Sequence, residues 1–333
     1  MSQDVSVPIV NTKKERIESF YLLKAIASFF VVLIHTSLWH KLAFDFIAGI
    51  GTPCFLAITG YLLYSNDCGR EITKCLNWAK KSFLLSFSCN IVYAIPKYFY
   101  APELIMDPWV WINALFFRGG DLCIALWYLT SLWHGLLLFA IFRRFLPKII
   151  YILPFIFVLL YLWRNQNSPY FPFYLDALPF GIERNTFLTT LTFLATGYLV
   201  HQHKNILLRW INVDVVFPIV LLLAFIEGFA NIIFLHYSNL FNFTTYPLII
   251  LTILLCIKHP SFKVPLLNDI GKKHSANIYY FHMLFVFYIW NRTTYPNTQT
   301  ILVWLSCIPF SMLFNVLSER IKKLVRNIKP FMH

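Results

Sequence analysis

Ten stretches of 16 to 23 mostly apolar residues, separated by short segments that hold nearly all the charge, limit what this chain can fold into. They run approximately over 17–38, 44–64, 82–100, 122–142, 148–163, 186–201, 213–235, 243–258, 276–291 and 299–318. A helix of about 20 residues rises about 30 Å, the thickness of a bilayer's hydrocarbon layer. Hydrophobic residues make up 58% of the chain and charged residues 13%, against about 45–50% and about 25% in soluble domains. So few charges cannot screen so much apolar surface from water. The predicted fold class is therefore all-α: a polytopic integral membrane bundle of about ten transmembrane helices. Residues 1–16 form a cytoplasmic N-terminal segment, 17–318 the transmembrane domain and 319–333 a basic cytoplasmic tail. Two shorter apolar stretches, 108–117 and 171–182, read as interfacial or re-entrant pieces.

The basic residues test this layout independently. With the N-terminus inside, 21 of the 28 Lys and Arg residues fall in inner segments, six in outer ones, and Lys24 alone within a span. Such a bias sets orientation, and a miscounted helix would scramble it, so both termini are expected in the cytoplasm. The formal charge of +13 then belongs to loops facing anionic lipid headgroups. Nucleic acid is not an expected partner, because the basic residues form no patch on a polar domain and no nucleic-acid motif occurs. The apolar run after Lys13, Lys14 and Arg16 is too long for a signal peptide and lacks a small-residue cleavage site, so it reads as a retained first span. The seven cysteines show no C-x-x-C pair and read as small buried hydrophobes. Zinc-type spacing, a Walker loop and G-x-G-x-x-G are absent from the sequence, so no metal, ATP or dinucleotide chemistry is expected.

Ionisable groups inside a bilayer are costly and usually functional. Lys24 and His35 lie in the first run, His134 in the fourth, Glu227 in the seventh and His282 in the ninth. Eleven residues separate Lys24 from His35, which is three helical turns plus about 20°, so both project from one face about 16 Å apart along the axis. With the entry side cytoplasmic, Lys24 sits inward and His35 outward. A cation at the inner mouth and an imidazole at the outer suit a long anionic donor such as coenzyme A. Structural readings stand beside this: Lys24 snorkelling to headgroups, Glu227 hydrogen-bonding a neighbouring helix, and His134 packing on Trp133.

At this point the residues carry a resemblance. The segment from Tyr21 to His35, with Lys24, ten residues and then His35, resembles the opening helix of the membrane acyltransferase-3 family. Thr52-Pro-Cys-Phe-Leu-Ala-Ile-Thr-Gly-Tyr is similar to that family's second helix, with Thr59 where Ser is usual and Cys54 in place of an apolar residue. Leu126-Trp127-Tyr128-Leu129, Arg184-Asn185 followed by Gly197-Tyr198-Leu199, and Gly271 to Ser275 with Ile278-Tyr279 and His282 resemble later family segments, in family order. The last has one residue more than usual between Lys272 and Ser275.

The resemblance implies transfer of an acyl group, usually acetyl from acetyl-CoA, to a hydroxyl of an extracytoplasmic or lipid-linked glycan. It also implies that His35 is the essential residue of the paired motif. A neutral imidazole suits a base that takes the hydroxyl proton and returns it to the leaving thiolate; an acyl-carrier role is the alternative. Glu183 or Glu227 is the expected carboxylate partner. Trp127, Tyr128 and Thr59 are candidate oxyanion or substrate contacts, with His282 beside them and Arg184 holding the acceptor. Lys24, Arg143, Arg144 and Lys273 are candidate contacts for coenzyme A phosphates. No permanently bound cofactor is expected; acyl-CoA, the glycan acceptor and membrane lipids are the partners, and a bacterial inner membrane is the setting. A glycan or lipid-linked sugar flippase is the competing reading; it calls for paired inverted repeats, and none is visible.

Overall fold

The computed structural model describes residues 16–36, 38, 45–117, 120–156, 189–235, 243–290 and 297–328. Its ordered elements are helical throughout, with no strand among the described residues. They are α1 (Ser19–His35), α2 (Asp45–Ala48), α3 (Gly51–Leu63), α4 (Cys68–Tyr100), α5 (Pro102–Met106), α6 (Pro108–Ile112), α7 (Trp127–Phe145) and α8 (Ile149–Ile152). After these come α9 (Leu191–Trp210), α10 (Val213–Leu235), α11 (Thr245–Lys258), α12 (Pro265–Lys273), α13 (Ser275–Tyr288) and α14 (Gln299–Ile328). The chain is a membrane protein. Helices Ile124–Phe145, Val213–Ile233 and Gln299–Arg320 are each long and apolar enough to cross a bilayer. On α10 the large apolar side chains of Val215, Ile219, Leu222, Ile226 and Ile233 are all exposed. An apolar face of that length needs hydrocarbon around it.

Helix α1 is the hub, packing on α3, α11, α12, α13 and α14. Because neighbours surround it, small and apolar residues recur on most of its circumference, with Ala25, Ala27, Ser28, Val31, Val32 and Leu33 all buried. Its first turn has no side-chain cap. Instead the free N–H groups of Glu18 and Ser19 donate to the carbonyl of Pro260 (2.8 and 3.3 Å), satisfying donors that a helix start leaves open. Its far end is tied by a hydroxyl contact between Thr36 and Thr300 (2.7 Å).

Two crossings explain the glycines of the second and ninth helices. A Cβ on Gly60 would lie 2.0 Å from the carbonyl oxygen of Leu194, and one on Gly197 1.9 Å from that of Ala57. Only bare backbone permits α3 and α9 to approach so closely, the packing that small residues provide between helices in lipid. Gly271 serves the same purpose where α12 crosses α1, since a Cβ there would fall 1.7 Å from the carbonyl of Tyr21.

Several boundaries differ from the expected runs. Helix α4 begins at Cys68, well before residue 82, because Asp67 caps it by accepting from the N–H groups of Gly69 and Arg70 (2.8 and 3.4 Å). Helix α9 continues to Trp210, past the apolar run. Of the 148–163 run, α8 and a 3-10 turn at Leu153–Phe155 lie in the described residues; the remainder and the 171–182 stretch lie outside them. The 108–117 piece is α6 followed by a π-helical turn at Asn113–Phe117. The run at 276–291 is preceded by a separate helix, α12, which Pro265 starts at its first position.

Candidate active site

The last turn of α1 places His35 against α13, where its ring lies 5.2 Å from that of His282 with the planes 32° apart. His282 is fully buried. Its Nδ1 lies 2.8 Å from the carbonyl oxygen of Tyr279 and 3.2 Å from that of Ile278. Carbonyls only accept, so Nδ1 carries the hydrogen and Nε2 presents its lone pair. That Nε2 has no hydrogen-bond partner among the described residues. A buried acceptor left bare costs stability, so this one marks a place where a polar ligand or proton belongs.

Around the two imidazoles the walls are aromatic. Tyr279, one turn before His282, meets it edge-on at 6.3 Å and packs on Tyr128 at 4.6 Å and on Phe55 at 5.8 Å. Its hydroxyl lies 3.4 Å from that of Thr52. Thr59 is the polar neighbour of the Tyr128 phenol, and Trp127 stands perpendicular to Tyr128 at 6.5 Å. The Tyr93 hydroxyl donates to the Tyr280 carbonyl (2.8 Å), fixing α4 to α13. Residues from four helices, α1, α3, α7 and α13, thus converge on His35 and His282.

At the opposite end of α1, Lys24 lines a cavity of about 570 Å³ together with Arg16, Tyr21, Tyr61, Tyr64, His201 and Lys204. The ends of α1, α3, α9 and α11 meet there. His201 donates from Nδ1 to the Tyr61 carbonyl (2.7 Å) and stacks between the rings of Tyr61 and Tyr64 at 4.2 and 4.7 Å.

The family model of the acyltransferase domain, Acyl_transf_3, matches residues 17–320. The chain belongs to the acyltransferase-3 family. No curated protein and no solved structure matches it. Family membership makes the described bundle an acyltransferase domain, and the paired Lys24 and His35 of the acyltransferase-3 opening helix are the two residues found at its two polar sites.

Other sequence candidates have different surroundings. Both oxygens of Glu227 are taken by the start of α11, accepting from Phe243 N (2.7 Å), Thr244 N (2.9 Å) and Thr244 Oγ1 (2.6 Å). Arg143 donates from Nε to Glu71, a fully buried carboxylate that also accepts from Ser65 N (2.8 Å) and the Tyr198 hydroxyl (3.1 Å). Lys273 pairs with Asp269 at 2.6 Å on the surface of α12, and this hydrogen bond holds the Asp269 carboxyl below the usual carboxylate range. Arg144 is exposed at the end of α7. His134 lies on Trp133, ring centres 3.6 Å apart. Glu183 and Arg184 lie outside the described residues.

Tyr279, Glu71, Arg16, His201 and Lys204 had no assigned role in the sequence reading. Tyr279 was legible, since positions three apart share a helix face and it precedes His282 by three. His201 likewise follows Tyr198 by three and Lys204 follows His201 by three.

Proposed function

We propose that this acyltransferase-3 protein moves an acyl group, acetyl by preference, from cytoplasmic acyl-CoA to a hydroxyl of an extracytoplasmic or lipid-linked glycan. In this reading ten helices span a bacterial inner membrane, both termini are cytoplasmic, and the end of the bundle bearing Lys24 faces the cytosol. One observation carries it. A single helix bears a cation in an inner cavity and, about 16 Å along its axis, an imidazole packed on a second imidazole with a bare acceptor nitrogen. That arrangement suits a donor with charge at one end and a thioester at the other.

The acceptor hydroxyl is a poor nucleophile until a base receives its proton. His35 takes that proton as the hydroxyl oxygen bonds to the thioester carbonyl carbon. The tetrahedral intermediate collapses, the carbon–sulfur bond breaks, and the His35 imidazolium returns the proton to the departing thiolate. His282, its tautomer held by two backbone carbonyls, is a positioning residue for His35, the part first expected of Glu183 or Glu227. Tyr128, Thr59 and the Trp127 indole are the donors available to the oxyanion. The acceptor enters by the opposite side, where Lys97, Tyr100 and Tyr288 line an open groove of about 680 Å³. Ester analysis of surface glycan tests the reading: cells expressing the His35→Ala chain should lose the acyl esters that the wild-type chain adds. Ester content unchanged at equal protein level would overturn it.

A further inference from the structure

The cavity at the inner end of α1 has a composition that acyl transfer alone does not call for. Arg16, Lys24 and Lys204 line it, with His201 between two tyrosines, and no Asp or Glu is among its lining residues. Among the described residues none of the three permanent cations has a carboxylate partner. The nearby carboxylate Glu71 is already engaged by Arg143, Tyr198 and Ser65. Lys24 and Lys272 both lie over the Tyr21 ring, at 5.8 and 5.9 Å, adding charge at the rim. Headgroup-facing lysines and arginines point outward into water, whereas these converge on one enclosed volume. Uncompensated convergent cations ask for a polyanion.

The wall supplies the second half of the specification. Tyr61, His201 and Tyr64 form a run of nearly parallel rings, tilted 26° and 32° from one another, and the His201 ring is locked by its bond to the Tyr61 carbonyl. A fixed aromatic wall beside several cations matches a flat base carrying phosphates. The Gly60–Gly197 crossing holds the two helices that build this wall in contact.

We propose that this cavity reads the nucleotide end of the donor, a phosphorylated adenosine, with Arg16 and Lys204 on its 3′-phosphate, Lys24 on the pyrophosphate and the His201 stack beside adenine. The inference rests on the acyl-CoA reading above and adds a specificity to it: the enzyme selects complete coenzyme A over donors lacking the 3′-phosphate.

The test uses the full chain in nanodiscs of neutral phosphatidylcholine, with calorimetric titration of coenzyme A and dephospho-coenzyme A. Charge-assisted contacts to one phosphate are expected to favour coenzyme A by roughly ten- to a hundredfold. Exchanging both contacts, Arg16→Gln with Lys204→Gln, should bring the two affinities together while leaving that for dephospho-coenzyme A unchanged, which also reports an intact fold. Equal affinities in the wild-type chain would overturn the proposal, and acyl transfer continuing there would leave the acyl-transfer reading standing. Conversely, wild-type discrimination without any acyl transfer would support the site and defeat that reading. Replacing the lipid by anionic phosphatidylglycerol should leave discrimination intact; its loss through competition would make a lipid headgroup the occupant and overturn the proposal.

Discussion

Replacing Gly197 by alanine tests the helix crossing on which the inner cavity depends. The new Cβ would stand 1.9 Å from the carbonyl oxygen of Ala57, where approaches below 3.0 Å are essentially never found. The two backbones must therefore part by at least the difference, 1.1 Å. Both obstructing groups are main chain, so no rotamer change relieves the clash, and the cost falls at the upper end of the about 1–3 kcal/mol typical of overpacking. For a chain of this size that corresponds to a fall of roughly 5 °C in the unfolding midpoint, measured by intrinsic fluorescence in detergent. Separation of α3 from α9 also shifts Tyr61 from His201, so donor KM should rise with it. Gly69→Ala is the internal control, because its Cβ would meet only Asp67 Oδ1, at 3.3 Å. A Gly197→Ala chain as stable as the Gly69→Ala chain would refute the reasoning.

Three other substitutions separate structural from chemical roles. Glu71→Ala leaves the Arg143 guanidinium and the Tyr198 hydroxyl without their buried acceptor and should destabilise by about 3–5 kcal/mol, read as the denaturation midpoint in detergent; wild-type stability would contradict the buried pairing. Glu227→Ala removes the acceptor at the start of α11 and should cost about 1–2 kcal/mol with turnover per folded molecule retained. A collapse of turnover without a stability change would return Glu227 to the chemistry. His282→Ala should lower kcat by roughly 10²-fold and alter the pH profile of kcat with donor KM unchanged; an unaltered profile would remove His282 from positioning His35.

The all-helical membrane architecture was legible in the sequence because lipid demands long apolar runs, and α1, α7, α10 and α14 follow theirs closely. Boundaries were lost where local chemistry outweighed hydropathy: Asp67 caps a helix that starts among charged residues, and Pro265 starts another that apolar content does not signal. The Lys24–His35 stripe was readable from helical period alone, and the structure sets its two ends at separate polar sites. The proximity of His282 to His35 was not readable, because it depends on the crossing of helices 240 residues apart. Arg143 and Lys273 show the opposite limit. Sequence reports that a cation is present, while its carboxylate, Glu71 or Asp269, is supplied by the fold.

The most direct measurement of the central claim is a kinetic split along α1. Acetyl transfer by the purified chain in nanodiscs is followed against acetyl-CoA concentration for Lys24→Ala and His35→Ala. The account predicts that Lys24→Ala raises donor KM with kcat largely kept, while His35→Ala abolishes kcat with donor affinity intact. Turnover surviving in His35→Ala, or the same parameter falling in both, would contradict it.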